Sequence, residues 1–279
     1  MFEGIPKKEW PVRILKGLGV FVREVLTFKT SLKLYPASYY PSFYKAKFKE
    51  GEILKWKGES FRIPRIVKYP EIPFHEFIFL LSGQYSIPEC HVAQGDIVFD
   101  VGAHFGFFSY YALQEGAKKI YAFEPNPYVF EILKEHANIW DKEKIEPFCL
   151  ALSSFEGEAE LFLTNELGTV STLLKSRDNT ILRLQKYEKS VKVKTTTIDK
   201  FVKEKNIEKV DFIKIDTEGY EREIIKGAKE TIRKFKPKMA ISAYHLPDDK
   251  EKIPELILSI RDDYRFKLVN KGEEDLFFF

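Results

Sequence analysis

From about residue 96 onward, short apolar runs alternate with segments whose apolar positions recur three and four residues apart. Asp96–Val101 and Lys119–Phe123 read as strands, with Phe107–Glu115 between them as a helix. Tyr128–Ile139 reads as a helix with Phe130, Leu133 and Ala137 on one side, and Glu146–Leu150 as a third strand. Glu158–Leu163 and Val191–Thr196 read as strands flanking a polar stretch, Thr164–Ser190, long enough to be a lid or a binding loop. Asp211–Ile215 is a further apolar strand, and Ile224, Ile225, Ala228 and Ile232 mark one helix after it. Lys238–Ala243, a helix marked by Ile253, Leu256, Ile257 and Ile260, and the strands Arg265–Val269 and Asp275–Phe278 complete the pattern. Repeated β-α-β units with apolar strands predict a Rossmann-like α/β fold around a mostly parallel sheet covered on both faces. The short connection Asn270–Glu274 allows the last strand to run antiparallel.

The first 84 residues have a different pattern and read as a small helical and irregular extension to a domain at 85–279. Ile14, Leu15, Leu18, Phe21, Val22, Val25 and Leu26 recur at helical spacing. Pro36, Pro41, Pro64, Pro70, Pro73 and Pro88 punctuate the segment after this helix, with one hairpin expected from Ile53–Trp56 and Ser60–Ile63 around Lys57-Gly58-Glu59. The first 58 residues hold twelve Lys and Arg against five Asp and Glu. This basic helix is expected to pack on the domain, the commoner fate of an apolar stripe, with peripheral membrane contact as the alternative. No apolar run is long enough to span a bilayer, and no signal peptide is recognisable, so a soluble, cytoplasmic protein is expected.

Composition adds little beyond a reducing compartment and a packed core. The 279 residues are 44% hydrophobic and 15% aromatic, which supports a core. A net charge of +3 does not suggest a nucleic-acid partner. Cys90 and Cys149 have neither metal nor redox spacing. High Lys and Glu with few Cys and Met resembles a thermophile's composition.

The chemistry concentrates at two strand ends. In Gly95-Asp-Ile-Val-Phe-Asp-Val-Gly-Ala-His-Phe-Gly106, an apolar strand ends near Asp100 and runs through Gly102, Ala103 and Gly106 into a helix. Small residues there let backbone approach a ligand at a helix start. Glu124, at the end of the next strand, stands twenty-two residues beyond Gly102, where a carboxylate suits two ribose hydroxyls. The run Gly102-Ala-His-Phe-Gly106-Phe-Phe lacks the Gly-x-Gly-x-x-Gly spacing that passes a pyrophosphate. A phosphate-free nucleoside, S-adenosylmethionine, is therefore favoured over NAD.

The second strand end, Val210-Asp-Phe-Ile-Lys-Ile-Asp216-Thr-Glu218-Gly219-Tyr-Glu221, would place Asp216 and Glu218 in the same crevice. Asp216 is a candidate for the methionine ammonium or an acceptor hydroxyl, and Glu218 for binding the acceptor or positioning Asp216. The bland reading is that acids in a first helical turn only favour the helix dipole. His245, after the next strand, is a candidate general base at the same sheet edge. The histidines show no paired ligand spacing, so no metal ligand is assigned. A divalent ion between Asp216, Glu218 and His245 is permitted by the sequence without being required.

These blocks resemble one known family. Asp-Val-Gly-Ala-His-Phe-Gly (100–106), Phe-Glu-Pro-Asn (123–126), Ala-Leu-Ser (151–153), Thr-Thr-Ile-Asp (196–199), Asp-Phe-Ile-Lys-Ile-Asp-Thr-Glu-Gly-Tyr-Glu (211–221), Ile225-Lys-Gly-Ala228 and Lys236-Pro237 resemble FkbM-type methyltransferases. The likeness covers about 95 to 245 and departs from the family at Ser242 and Ala243, where a Glu is common. It implies a class I methyltransferase sheet, S-adenosylmethionine as donor, and O-methylation of a hydroxyl on a sugar, lipid-linked or other small-molecule acceptor. It also implies a cofactor site lined by Asp100, Gly102, His104 and Glu124, with Asp216 near the reacting centre. Ala103, Gly106, Pro125, Asn126, Ala151 and Asp216 are further candidates for the cofactor site, and His245 and Glu218 join Asp216 as candidate catalytic residues. The rival readings are an NAD(P)-dependent oxidoreductase and an interaction protein with a retired site.

Overall fold

The computed structural model describes residues 53–56, 59–62, 83–163, 171–173, 189–271 and 273–279. The apolar stripe between Ile14 and Leu26, and every proline of the extension, lie outside the described residues. Among the described residues no helix is long and apolar enough to cross a membrane.

A two-stranded antiparallel hairpin, β1 (Ile53–Trp56) and β2 (Glu59–Arg62), comes first. Its second strand starts one residue earlier than the turn signal suggests, because Glu59 pairs with Trp56. The alternation then runs β3 (Ile97–Val101), α1 (Phe107–Gln114), β4 (Lys119–Phe123), α2 (Pro127–Trp140) and β5 (Ile145–Phe148). A smaller sheet comes next, made of β6 (Ala151–Leu152), β7 (Gly157–Leu163), β8 (Ser171–Thr172) and β9 (Lys189–Thr196). The chain returns through α3 (Ile198–Glu204) to β10 (Phe212–Ile215), α4 (Glu221–Lys226), α5 (Lys229–Phe235) and β11 (Lys238–Ser242). It closes with α6 (Asp249–Ile260), β12 (Phe266–Asn270) and β13 (Glu274–Phe278).

The main sheet has the order β12-β13-β11-β10-β3-β4-β5. Only β13 breaks the parallel run, pairing antiparallel with both β11 and β12, so the expected antiparallel last strand is present. Alternate residues of each strand feed two separate cores. Val98, Ile120, Phe212 and Phe277 pack with Phe108 of α1 and Leu133 of α2. Phe99, Phe123, Ile213 and Phe278 pack with Phe201 of α3, Ile224 of α4 and Ile253 of α6. Burial on both faces is why the strands read as unbroken apolar runs.

Three features differ from the sequence expectation. The helix expected through Ile224 and Ile232 is two helices, because the chain turns at Gly227, where the Ser153 carbonyl packs so closely that a Cβ would collide with it. α3 is an additional helix; Thr197 caps it by accepting the Lys200 N–H at 3.0 Å, and Ile198, Phe201 and Val202 are buried. Within Thr164–Ser190, Ser171 and Thr172 join the smaller sheet as β8, and 164–170 and 174–188 lie outside the described residues. The segment leading into β3 is part of the core, with Tyr85, Ile87, Cys90 and Val92 buried. Gln84 is buried too and donates to Glu273 at 2.8 Å.

Candidate active site

The glycine turn leaves β3 at Val101. The N–H groups of Gly102 and Ala103 both donate to the Phe123 carbonyl, at 3.1 and 2.9 Å, which fixes the turn to the end of β4. Gly102, His104 and Gly106 have φ of 75°, 49° and 86°, a left-handed sequence that two glycines make accessible. Each glycine also has a packing reason. A Cβ on Gly102 would run into the Asp216 carbonyl oxygen, and one on Gly106 would lie 2.6 Å from Leu133 Cδ1. The small size at 102 is therefore used by the backbone of Asp216, and the mouths of β3 and β10 form one crevice.

Glu124 sits beside that turn, 6% exposed. Its Oε2 accepts the His104 N–H at 2.9 Å and its Oε1 the Asn126 N–H at 2.8 Å. Burial raises its pKa above the ordinary carboxylate value, against the opposing pull of His104 and these two N–H groups. Two acceptor oxygens carry about four lone-pair directions, so each retains capacity for a ribose hydroxyl. Asn126 in turn caps α2, accepting the Tyr128 N–H at 3.1 Å ahead of Pro127, which holds Pro125 and Asn126 rigidly next to the carboxylate.

Asp100 stands in β3, two residues before Gly102. It is fully buried, accepts the Ser109 hydroxyl at 2.7 Å and pairs with Lys214 at 3.3 Å. The register of β10 against β3 sets this pair, because Lys214 stands beside Asp100. Lys214 Nζ donates to the Gly102 carbonyl at 2.7 Å and lies 5.5 Å from the Tyr85 ring centre. Burial works against the ammonium, but Asp100 and Asp216 outweigh it and hold its pKa above the ordinary lysine value. Asp100 thus acts on the turn through Lys214. Ala151 is also buried, in β6, against Leu161 and Leu163 of the smaller sheet.

Beyond β10, four titratable side chains converge. Glu221 opens α4 with its side chain folded back, and its Oε1 accepts N–H from Thr217 at 2.9 Å and from Gly219 at 3.3 Å. That contact shapes the Asp216–Gly219 loop, in which Glu218 (φ 56°) and Gly219 (φ 97°) are left-handed. His245 is fully buried after β11. Its Nδ1 lies 3.0 Å from Glu221 Oε1, and its Nε2 lies 3.4 Å from Glu218 Oε2 and 3.7 Å from Asp216 Oδ1. Burial disfavours its charged form, yet Glu221, Glu218 and Asp216 together push its pKa up to about 10. These three carboxylates favour the charged form of the imidazole. Burial, with Asp216 and Glu221 nearby, raises Glu218 to about 8 against the pull of His245. Asp216, Glu221 and His245 each bring one ligand atom within 4.8 Å of the others'.

The sequence assigns no role to Glu221, Tyr85 or Lys214, and gives Thr172 only as part of a polar stretch that could close over the site. Tyr85 donates its hydroxyl to Asp216 Oδ2 at 2.8 Å, and nothing near it in sequence marks it. Thr172 of β8 donates to the Glu218 carbonyl at 2.8 Å, bringing the smaller sheet to the cluster. Lys214 was legible as a charged side chain inside an apolar strand, a position that calls for a buried partner.

The model of the methyltransferase FkbM domain matches residues 100–268, which contain the glycine turn, Glu124, Asp216 and His245. Hexuronic acid methyltransferase AglP of Haloferax volcanii is 24% identical over 185 residues, covering 65% of this chain and 69% of that protein. The 2-O-methyltransferase NoeI of Sinorhizobium fredii is 25% identical over 146 residues, covering 50% and 59%. The crystal structure of methyltransferase FkbM from Methylobacillus flagellatus superposes with a TM-score of 0.54 at 21% identity, a likeness of fold. That match covers 71% of this chain but 47% of the other, so the chain spans about half the length of that solved protein. With the family's match extending over most of the domain, the chain belongs to the FkbM methyltransferases, enzymes that use S-adenosylmethionine as methyl donor.

Proposed function

We propose that the chain methylates a hydroxyl of a sugar or a similar polyhydroxylated small molecule. The observation that carries this reading is the contact of Gly102 with the Asp216 carbonyl, which joins the nucleoside-binding turn and the acidic cluster in one crevice. Gly102, Ala103, His104, Glu124, Pro125 and Asn126 would hold the cofactor, with Glu124 on the ribose. Asp100 and Gly106 support the turn through Lys214 and Leu133. S-adenosylmethionine supplies a methyl group already activated by its sulfonium charge.

The remaining catalysis is positioning, exclusion of water and proton transfer. Asp216 Oδ1 is the atom for the acceptor hydroxyl. It makes no hydrogen bond, while Tyr85 fixes the other oxygen of the carboxylate. When the acceptor oxygen takes up the methyl group, which the sulfonium would release by breaking its carbon–sulfur bond to leave a neutral thioether, the hydroxyl proton would pass to Asp216 Oδ1. Glu218 keeps its proton near neutral pH and donates to a neighbouring acceptor oxygen. His245 orients Asp216 and Glu218 from behind. A pocket of carboxyl groups accepts hydrogen bonds from several hydroxyls at once, which suits a sugar. AglP and NoeI are named for a hexuronic acid and for a 2-O position, which agrees with this class. The basic first 58 residues suit a sugar carried on an anionic lipid.

Asp216→Asn keeps the shape and removes the proton acceptor. Turnover of labelled S-adenosylmethionine with a sugar acceptor is expected to fall by about 10² to 10⁴, while S-adenosylhomocysteine binds within a few-fold of the parent. Unchanged turnover would remove Asp216 from the chemistry.

A further inference from the structure

His245 Nε2 and Glu221 Oε2 belong to fully buried side chains, and neither atom has a hydrogen-bond partner. Asp216 Oδ1, facing the same space 3.7 Å from that nitrogen, has none either. Unpartnered polar atoms on two fully buried side chains, beside a third on the partly exposed Asp216, call for a bound water, an ion or a catalytic role. Their spacing narrows the choice. The ligand atoms of the three residues lie within 4.8 Å of one another, close to the span of a single coordination sphere with bonds of about 2.0–2.3 Å. Charge points the same way: Asp216, Glu218, Glu221, Glu273 and Asp275 are electrostatically coupled around the single histidine.

We infer that Asp216, Glu221 and His245 hold a divalent metal ion at the mouth of β10. Two carboxylates and one imidazole form a mixed oxygen and nitrogen set that suits a first-row ion of the Mn²⁺ type better than Ca²⁺ or Mg²⁺, which favour oxygen alone. Only the neutral ring offers a lone pair, so binding releases a proton from the imidazole. Glu221 already holds the Asp216–Gly219 loop through its Oε1, which fixes Asp216 relative to His245 and leaves Oε2 for the ion. Glu221 is the carboxylate whose ligand atom lies within 4.8 Å of those of both Asp216 and His245, and Glu218 Oε2 stands close by, 3.4 Å from Nε2. Three protein ligands leave coordination positions open toward the crevice. In the methyl-transfer reading, on which this role rests, those positions take two neighbouring oxygens of the acceptor and hold the reacting hydroxyl beside Asp216. The ion site itself does not depend on that reading.

The test uses the full-length chain stripped with a chelator and titrated with Mn²⁺, free Mn²⁺ being read by its paramagnetic resonance signal. One equivalent is expected to disappear from the free signal. Asp216→Asn and His245→Gln should each weaken uptake by at least about 10–100-fold, the loss seen for disturbing even the groups behind metal ligands. Melting curves and S-adenosylhomocysteine titrations show that each variant is folded. Asp216 is partly exposed, so its variant gives a reading even if His245→Gln fails to fold. No uptake by the parent chain, or equal uptake by the folded variants, overturns the metal site. If the nucleoside still binds in that case, the methyl-transfer reading survives. Uptake of Mn²⁺ without any nucleoside binding does the reverse.

Discussion

Lys214→Met is expected to destabilise the domain by about 3–5 kcal/mol, the range for breaking a buried ion pair from one side. The lysine side chain is 5% exposed and its Asp100 partner fully buried, so water cannot replace the ammonium. Its removal leaves Asp100 with the Ser109 hydroxyl and releases the carbonyl of Gly102, to which Nζ donates. For a domain of this size, each kcal/mol lowers the melting temperature by roughly 2–4 °C. The companion variant carrying both Lys214→Met and Asp100→Asn removes the stranded charge and should recover much of the loss. Chemical denaturation of the two variants tests this. Equal stability of parent and single variant would mean that Lys214 is not paired as described.

Gly102→Ala is the second large effect, and it falls on binding as well as stability. A residue with a Cβ at φ 75° costs about 1–2 kcal/mol on backbone grounds alone. The added methyl group also meets a carbonyl oxygen, that of Asp216, rather than a side chain that could swing aside. Overpacking of this kind adds about 1–3 kcal/mol. Relief requires the β3 turn and the β10 loop to separate, which moves the His104 N–H away from Glu124. S-adenosylhomocysteine affinity should drop by about 100-fold, equivalent to about 2.7 kcal/mol. Calorimetric titration of the variant checks it, and near-parental affinity would show that the two loops need not touch. Gly106→Ala, whose methyl meets the flexible Leu133 side chain, should be milder.

The central sheet was legible because its strands are buried on both faces and their apolar runs stand out against the helices between them. Lys119–Phe123 matches residue for residue, and the other strands of that sheet are displaced by one or two residues at their ends. β6 and β8 left no periodic signal, since a two-residue strand has no period to display. α3 did leave one, in Thr197 followed by Ile198, Phe201 and Val202, but it is short and lies against a strand pattern. The break at Gly227 depends on Ser153, which is remote in sequence.

The site divides in the same way. Gly102, Glu124 and Asp216 could be placed from motif spacing, because strand ends in a parallel sheet share one edge. The partnerships of Asp100 with Lys214 and Asp216 with Tyr85 depend on register and on a segment 131 residues distant, which spacing does not encode. The surroundings of His245 depend on burial among three carboxylates, which its residue type and position along the chain do not encode.

Whether this crevice binds a sulfur nucleoside through Glu124 is tested most directly by calorimetric titration of the full chain with S-adenosylmethionine, S-adenosylhomocysteine and NADH, repeated on Glu124→Ala. Micromolar binding of the two sulfur nucleosides, no comparable binding of NADH, and loss of both nucleosides in the variant are expected. Preference for NADH, or nucleoside binding that survives removal of the Glu124 carboxylate, would contradict it.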